Sequence, residues 1–280
     1  MHRFRFFPIA WVLSIPGMLF SAAVFAADEY PLRARYPDVP IIATAELAKR
    51  FNDVWVIDVR SKFEYETLHI KDAVNIPLSK TGFGEKVSAL RDKYKKPFVF
   101  YCNGKTCHKS YDAVLLAIRA RVDDLYAYDA GVFDWAKANP DRTTLLGRTP
   151  IRPDQLIDHD MLKAHMLEPK VFSERAAANA VILDVRDRAQ RDSPLFPFKE
   201  LRAQLDETAK IDAAINEAKS QKKTLLVYDQ VGKQVQWLQY RFEDRGLKDY
   251  YFMKGGAQAH FDATLGKVVL GGGQEAQPKK

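Results

Sequence analysis

Cysteine is scarce in this chain: there are two, Cys102 and Cys107, in 280 residues. Exported chains that depend on disulfides spread several cysteines to close long loops. A pair only five positions apart closes almost no loop and adds little chain-entropy stabilisation. A disulfide framework is therefore excluded, and the two thiols read as reactive groups. A run of one charge is also missing. The formal charge of +7 arises from 43 Lys and Arg scattered among 36 Asp and Glu. Nothing forms the stripe that would track a nucleic-acid backbone, so the basicity reads as solubility plus a mild preference for anionic small molecules. Low-complexity tracts are absent, and 47% hydrophobic residues with 28% charged ones describe a globular chain with packed cores. Its length suits two ordinary domains. A metal site would need further His or Cys ligands at short spacing, and His108 beside two cysteines does not supply them. Neither a metal nor another cofactor is expected.

The one extended apolar stretch, Phe6 to Phe20, is broken by Pro8, Pro16 and Gly17 and falls short of the roughly 20 residues a membrane span requires. Arg3 and Arg5 precede it, and Val24-Phe25-Ala26 follows with small residues where a signal peptidase reads. Residues 1–26 are read as a secretory signal cleaved after Ala26, which implies export, to the periplasm in a Gram-negative bacterium. No cysteine lies near that cleavage site to take a lipid, so no stable membrane anchor is expected.

What is present is an internal repeat. Trp55-Val56-Ile57-Asp58-Val59-Arg60 is echoed by Val181-Ile182-Leu183-Asp184-Val185-Arg186, and Phe98 to Tyr101 by Leu225 to Tyr228. Ala130-Gly131-Val132 is echoed by Gly255-Gly256-Ala257, all at an offset of about 126 residues. Each half alternates short apolar runs with amphipathic stretches. Val54 to Val59 and Phe98 to Tyr101 read as buried strands. Glu46 to Phe51, Glu85 to Tyr94, Ser110 to Ala120 and Val132 to Ala138 have helical spacing, as do Phe172 to Ala178, Leu201 to Lys219 and Gln234 to Asp244. Strands alternating with helices predict α/β domains, each a mainly parallel sheet flanked by helices. We place them at residues 41–140 and 166–265, joined by a linker at 141–165 whose first part is proline-rich, with a disordered tail at 266–280.

In parallel sheets ligands bind beyond the C-terminal strand ends, which directs attention to the loop after Tyr101. Cys102 there faces backbone N–H groups and a helix N-terminus, and both favour negative charge. A free thiol is only about 3% thiolate at neutral pH, and a helix N-terminus with nearby cations raises that fraction. Lys105, His108 and Lys109 supply cations, and Gly104 lets the backbone turn inward onto a bound anion.

The strand motif Asp58-Val59-Arg60, then Glu64-Tyr65, His69-Ile70 and Ala73-Val74-Asn75-Ile76-Pro77, the Tyr101-Cys102 loop and the Ala130-Gly131-Val132 turn before Trp135 together resemble the rhodanese family. The resemblance covers most of residues 41 to 140 and, through the repeat, implies two tandem rhodanese-like domains. It implies a sulfurtransferase: Cys102 attacks a sulfane donor such as thiosulfate, holds the sulfur as a persulfide, and passes it to a thiophilic acceptor, either cyanide-like or a thiol, including a protein thiol. Asn103, Gly104, Lys105, Thr106, Cys107 and His108 would bind the substrate, while Asp58, Arg60 and His69 support the fold. The chain departs from the family pattern at Leu68 and Asp72, where glycines are usual, and at Cys107, which could resolve a persulfide or bond to Cys102. In the second half Asp229 stands in the cysteine's place, and the His-Ile…Asn-Ile-Pro segment is replaced by Ser193 to Phe198. A carboxylate is a poor tenant for an anion-binding nest, so this domain is expected to be degenerate and inactive. Two other readings stay open: thiol-disulfide redox work by Cys102 and Cys107, and a non-catalytic sulfur-binding module acting within a partner complex. Phosphatase or arsenate reductase chemistry would want arginine six positions after Cys102, where His108 stands.

Overall fold

The computed structural model describes residues 29–265. The expected signal segment and the expected tail from 266 lie outside the described residues. The first half runs α1 (Thr44–Lys49), β1 (Trp55–Asp58), α2 (Lys62–Thr67), β2 (Leu68–Ile70), β3 (Val74–Asn75), α3 (Phe83–Lys93), β4 (Phe98–Tyr101), α4 (Lys109–Arg119), β5 (Leu125–Tyr128), α5 (Gly131–Ala138) and β6 (Thr143–Leu145). The second runs α6 (His159–Ala164), β7 (Met166–Leu167), α7 (Pro169–Ala177), β8 (Ala180–Asp184), β9 (Glu200–Arg202), α8 (Thr208–Gln221), β10 (Thr224–Tyr228), α9 (Val235–Asp244), β11 (Tyr250–Met253) and α10 (Gly256–Leu265).

Two parallel sheets result, ordered β3-β1-β4-β5 and β9-β8-β10-β11-β7. The match is close. β1 sits between β3 and β4 as β8 sits between β9 and β10, and a parallel bridge from Ile41 to Ala127 occupies the place β7 takes beside β11. Alternation along the strands sends Val56, Val99 and Tyr101 to one face and Ile57, Phe98 and Phe100 to the other, each into its own buried cluster. A sheet covered on both faces needs such unbroken apolar strands, and Phe98 to Tyr101 is buried throughout.

The two halves pack on each other. Phe133 stacks on Trp237 with ring centroids 5.5 Å apart, and Trp237 and Tyr240 belong to a cluster otherwise made by the first half. The Tyr240 hydroxyl accepts the Ile157 N–H at 3.2 Å, and Arg148 pairs with Asp244.

Two sequence expectations need correction. The helix read from Leu201 to Lys219 begins only at Thr208, because Glu200 to Arg202 pairs with Ile182 to Asp184 as β9. Helical spacing of Leu201 with later residues was outweighed by main-chain pairing at the sheet edge, and a turn at Gln204 to Glu207 separates the two elements. The stretch read as linker is drawn into the first half at its start: Thr143–Leu145 pairs antiparallel with β2, and all three residues are buried.

Candidate active site

Asp58 ends β1 and Tyr101 ends β4, directly opposite each other in register. The chain leaving β4 forms the Cys102 loop and re-enters order at Lys109, so the loop crosses the C-terminal edge of the sheet. Its start is pinned when the Cys102 carbonyl accepts the Val132 N–H of α5 at 3.0 Å, and its end turns through a bond from the Cys107 N–H to the Gly104 carbonyl at 2.8 Å. His108, the N-cap of α4, makes no side-chain capping bond. The orphan N–H groups and macrodipole of this first turn favour an anion beside it.

Gly131 explains how the loop is held so tightly. Its φ is +75°, and a Cβ there would lie 2.4 Å from the Gly104 nitrogen and 2.5 Å from the Asn103 carbonyl carbon. Only glycine permits this backbone-on-backbone approach. Below the loop, Arg60 is fully buried. Its Nε and Nη2 donate to both Asp58 oxygens (3.0 and 2.6 Å), Nη2 also to the Leu68 carbonyl (2.6 Å), and Nη1 to Asn103 Oδ1 (3.1 Å). Asn103 Nδ2 in turn donates to Glu64 Oε1 at 2.9 Å, and Glu64 Oε2 accepts the Ser61 N–H and hydroxyl. Burial alone would raise the Glu64 carboxyl. The bonds from Asn103 and Ser61, with the Arg60 charge, outweigh it and hold the group below its ordinary range. It stays ionised, and the second loop residue is tethered at both ends of its amide.

The two cysteines are joined: a disulfide links Cys102 and Cys107, with Cα atoms 6.2 Å apart, inside the usual range. Cys102 is 2% exposed, while Cys107 is partly exposed. In this state the loop holds no nucleophile.

A family model for the rhodanese-like domain matches residues 43–138, the segment that carries the loop, the Asp58–Arg60 pair and the Gly131 closure. Residues 43–138 are a rhodanese-like domain. A curated relative, the HTH-type transcriptional regulator Rv0324 of Mycobacterium tuberculosis, is 32% identical over 99 residues, 35% of this chain and 42% of that protein. The match spans less than half of that relative's length. Among solved structures, the human single-domain sulfurtransferase TSTD1 is 25% identical, with 35% of this chain and 95% of that one covered at a TM-score of 0.29. The rhodanese-like domain of Anabaena Alr3790 is 22% identical, with 43% and 89% covered at 0.34. The thiosulfate sulfurtransferase of Pseudomonas aeruginosa is 17% identical, with 83% and 46% covered at 0.34.

The remaining candidates of the rhodanese-like domain fall in different places. Lys105 turns to Glu29 at 2.6 Å and Asp134 at 3.1 Å and lies over the Tyr30 ring, so its charge is shared with carboxylates. His108 is exposed and bonded to Asp112 at 2.6 Å. Asn103 points its amide inward, as the tether described. Gly104 and Thr106 form the turn between the cysteines, with Thr106 exposed. His69, on β2, donates from Nδ1 to the Tyr65 carbonyl at 2.7 Å and stacks on that ring; burial lowers its pKa, and it stays neutral.

Three residues were not singled out from the sequence for the parts they play. Glu64 was detectable, because Ser61-x-x-Glu64 is a capping-box signature and the box is formed. Asn75, which donates to the Asp58 and Arg60 carbonyls at 3.1 Å each, lies inside the Ala73 to Pro77 motif, whose pattern does not set it apart from its neighbours. Trp237, whose ring lies 5.3 Å from the Arg60 guanidinium, comes from the other half and gave no signal.

The second half copies the frame with altered contents. Gly256 (φ +63°) closes on Asp229 and Gln230 as Gly131 closes on the Cys102 loop, and the Ala257 N–H donates to the Asp229 carbonyl at 2.8 Å. The Asp229 carboxylate corrects our expectation about the nest. It is buried within its own loop, accepting N–H bonds from Val231, Gly232 and Gln234. Such bonds repay the desolvation of a carboxylate, and the loop's anion site is filled by the chain itself. Arg186 pairs with Asp184 but spends its other donors on the Gln190 and Ser193 carbonyls.

Among the described residues, no group of His, Cys, Asp and Glu is placed to hold a metal ion, and no helix is long and apolar enough to cross a membrane.

Proposed function

We propose that the rhodanese-like domain is a sulfurtransferase that takes a sulfane sulfur from a thiosulfate-like anion onto Cys102 and yields it to a thiophilic acceptor. The observation that carries this reading is the position of Cys102: a buried thiol position at the end of a central parallel strand, in a loop clamped by Gly131 and followed by an uncapped helix N-terminus. Once the disulfide is reduced, that field favours the thiolate. Its attack on the outer sulfur of thiosulfate forms the Sγ–S bond and releases sulfite. The persulfide anion then occupies a loop of N–H donors, the kind of environment Asp229 occupies in the second half. That half has no thiol, and we assign it a supporting role through Trp237 and Tyr240. A phosphoryl or arsenate reading fails on His108, which stands where a bidentate arginine would be needed.

The test is thiocyanate formation from thiosulfate and cyanide by fully reduced protein. Wild type should turn over and Cys102→Ser should not. Substantial activity in Cys102→Ser would overturn the assignment.

A further inference from the structure

We propose that Cys107 is a resolving thiol, so that the domain releases its sulfur as sulfide and is recharged by an external dithiol. This rests on the persulfide reading of Cys102.

Three observations carry it. The two sulfurs come within bonding reach without leaving the loop, as the Cys102–Cys107 disulfide demonstrates. The sequence holds no other cysteine, so Cys107 is the one internal thiol able to meet a sulfur on Cys102. The two positions also differ in access: Cys102 is 2% exposed and packs in the core beneath the sheet edge, whereas Cys107 is partly exposed.

The chemistry balances without an outside oxidant. In the persulfide Cys102–Sγ–S⁻ the outer sulfur is at the sulfane level. The Cys107 thiol attacks Cys102 Sγ, the Sγ–S bond breaks, and the outer sulfur leaves with the Cys107 proton as HS⁻. The sulfane sulfur gains two electrons and the two cysteines lose them, leaving the disulfide seen here. A dithiol reductant reverses the second change. Its thiolate attacks the sulfur of Cys107, the more exposed of the two residues, forming a mixed disulfide and expelling Cys102 as thiolate. Its second thiol then frees Cys107 and leaves the reductant as a disulfide. Which sulfur is attacked depends on access and on the leaving thiolate. Both point the same way: Cys107 is the more exposed of the two, and Cys102 departs into the field of the α4 N-terminus. The partner is therefore a vicinal dithiol that docks at the Cys107 side of the loop.

The decisive experiment is a single turnover without air. Full-length protein is reduced, freed of reductant, and given thiosulfate alone, while sulfite, sulfide and intact mass are followed. The proposal expects one sulfite and one sulfide per chain, with a final mass two hydrogens below the reduced protein and no added sulfur. In Cys107→Ser, sulfide should fall to background relative to the sulfite formed in the same sample. Sulfite release with the sulfur retained on wild-type protein and no sulfide would overturn the resolving role while leaving the transferase reading intact. Absence of both sulfite and added sulfur would overturn the two together.

Discussion

Replacing Gly131 by alanine isolates what the backbone closure is worth. Two penalties act at this position. At φ +75° an L side chain adopts the left-handed region, costing roughly 1–2 kcal/mol. The new Cβ would also lie 2.4 to 2.5 Å from three backbone atoms of Asn103 and Gly104, and such overpacking adds about 1–3 kcal/mol because no flexible side chain can yield. Gly131→Ala should thus cost about 2–5 kcal/mol. Gly147 supplies the control, since its φ is +76° and nothing lies within 4 Å of its would-be Cβ; Gly147→Ala should cost only the first part, about 1–2 kcal/mol. Urea unfolding of both variants reads the difference. Sulfur transfer by reduced protein reads the consequence, because the loop must shift to admit the methyl. A misplacement near 1 Å costs on the order of a hundredfold in rate, so Gly131→Ala should lose activity on that scale while Gly147→Ala keeps it. Equal destabilisation of the two variants, with transfer unimpaired, would refute the claim that Gly131 clamps the Cys102 loop.

Asp229→Ala should lower stability by about 1–3 kcal/mol, since it orphans three loop N–H groups. Turnover per folded molecule should be unchanged, and a large loss of turnover in the folded variant would give the second half a part in the chemistry. Glu64 should make the fold acid-sensitive. Its folded pKa lies below its ordinary value of 4.5, so its contribution is complete above that value and is lost as pH falls through the depressed one. Denaturant midpoints followed from pH 6 downward should flatten in Glu64→Gln, and an identical acid slope in the two proteins would contradict the assignment.

Much of this arrangement could be read from residue order alone. β-branched and aromatic runs at Trp55 to Asp58 and Phe98 to Tyr101 gave the central strands, because strands buried on both faces cannot be amphipathic. The repeat carried the same reading into the second half, and the two strand orders agree. Where local spacing misled, main-chain pairing was the reason. Leu201 satisfies a helical pattern but bonds to the edge of β8, and Thr143 to Leu145 pairs with a strand seventy-odd residues earlier. The site was legible at Cys102 and less so around it. Charge counting offered Lys105 to the substrate, yet Glu29 and Asp134 meet it in space. Asp229 was judged against a nest formed for an outside anion, whereas the loop closes on its own carboxylate. No linear pattern connects Trp237 to Arg60, because that contact exists only after the halves pack.

Cys102 as the sulfur carrier is tested most directly in Cys107→Ser, where a transferred sulfur cannot be released within the loop. The reduced variant is treated with thiosulfate without air, alkylated and mapped by mass spectrometry. The account predicts one added sulfur atom, on the peptide that contains Cys102. Folded protein with a reactive Cys102 thiol that gains no sulfur would contradict it.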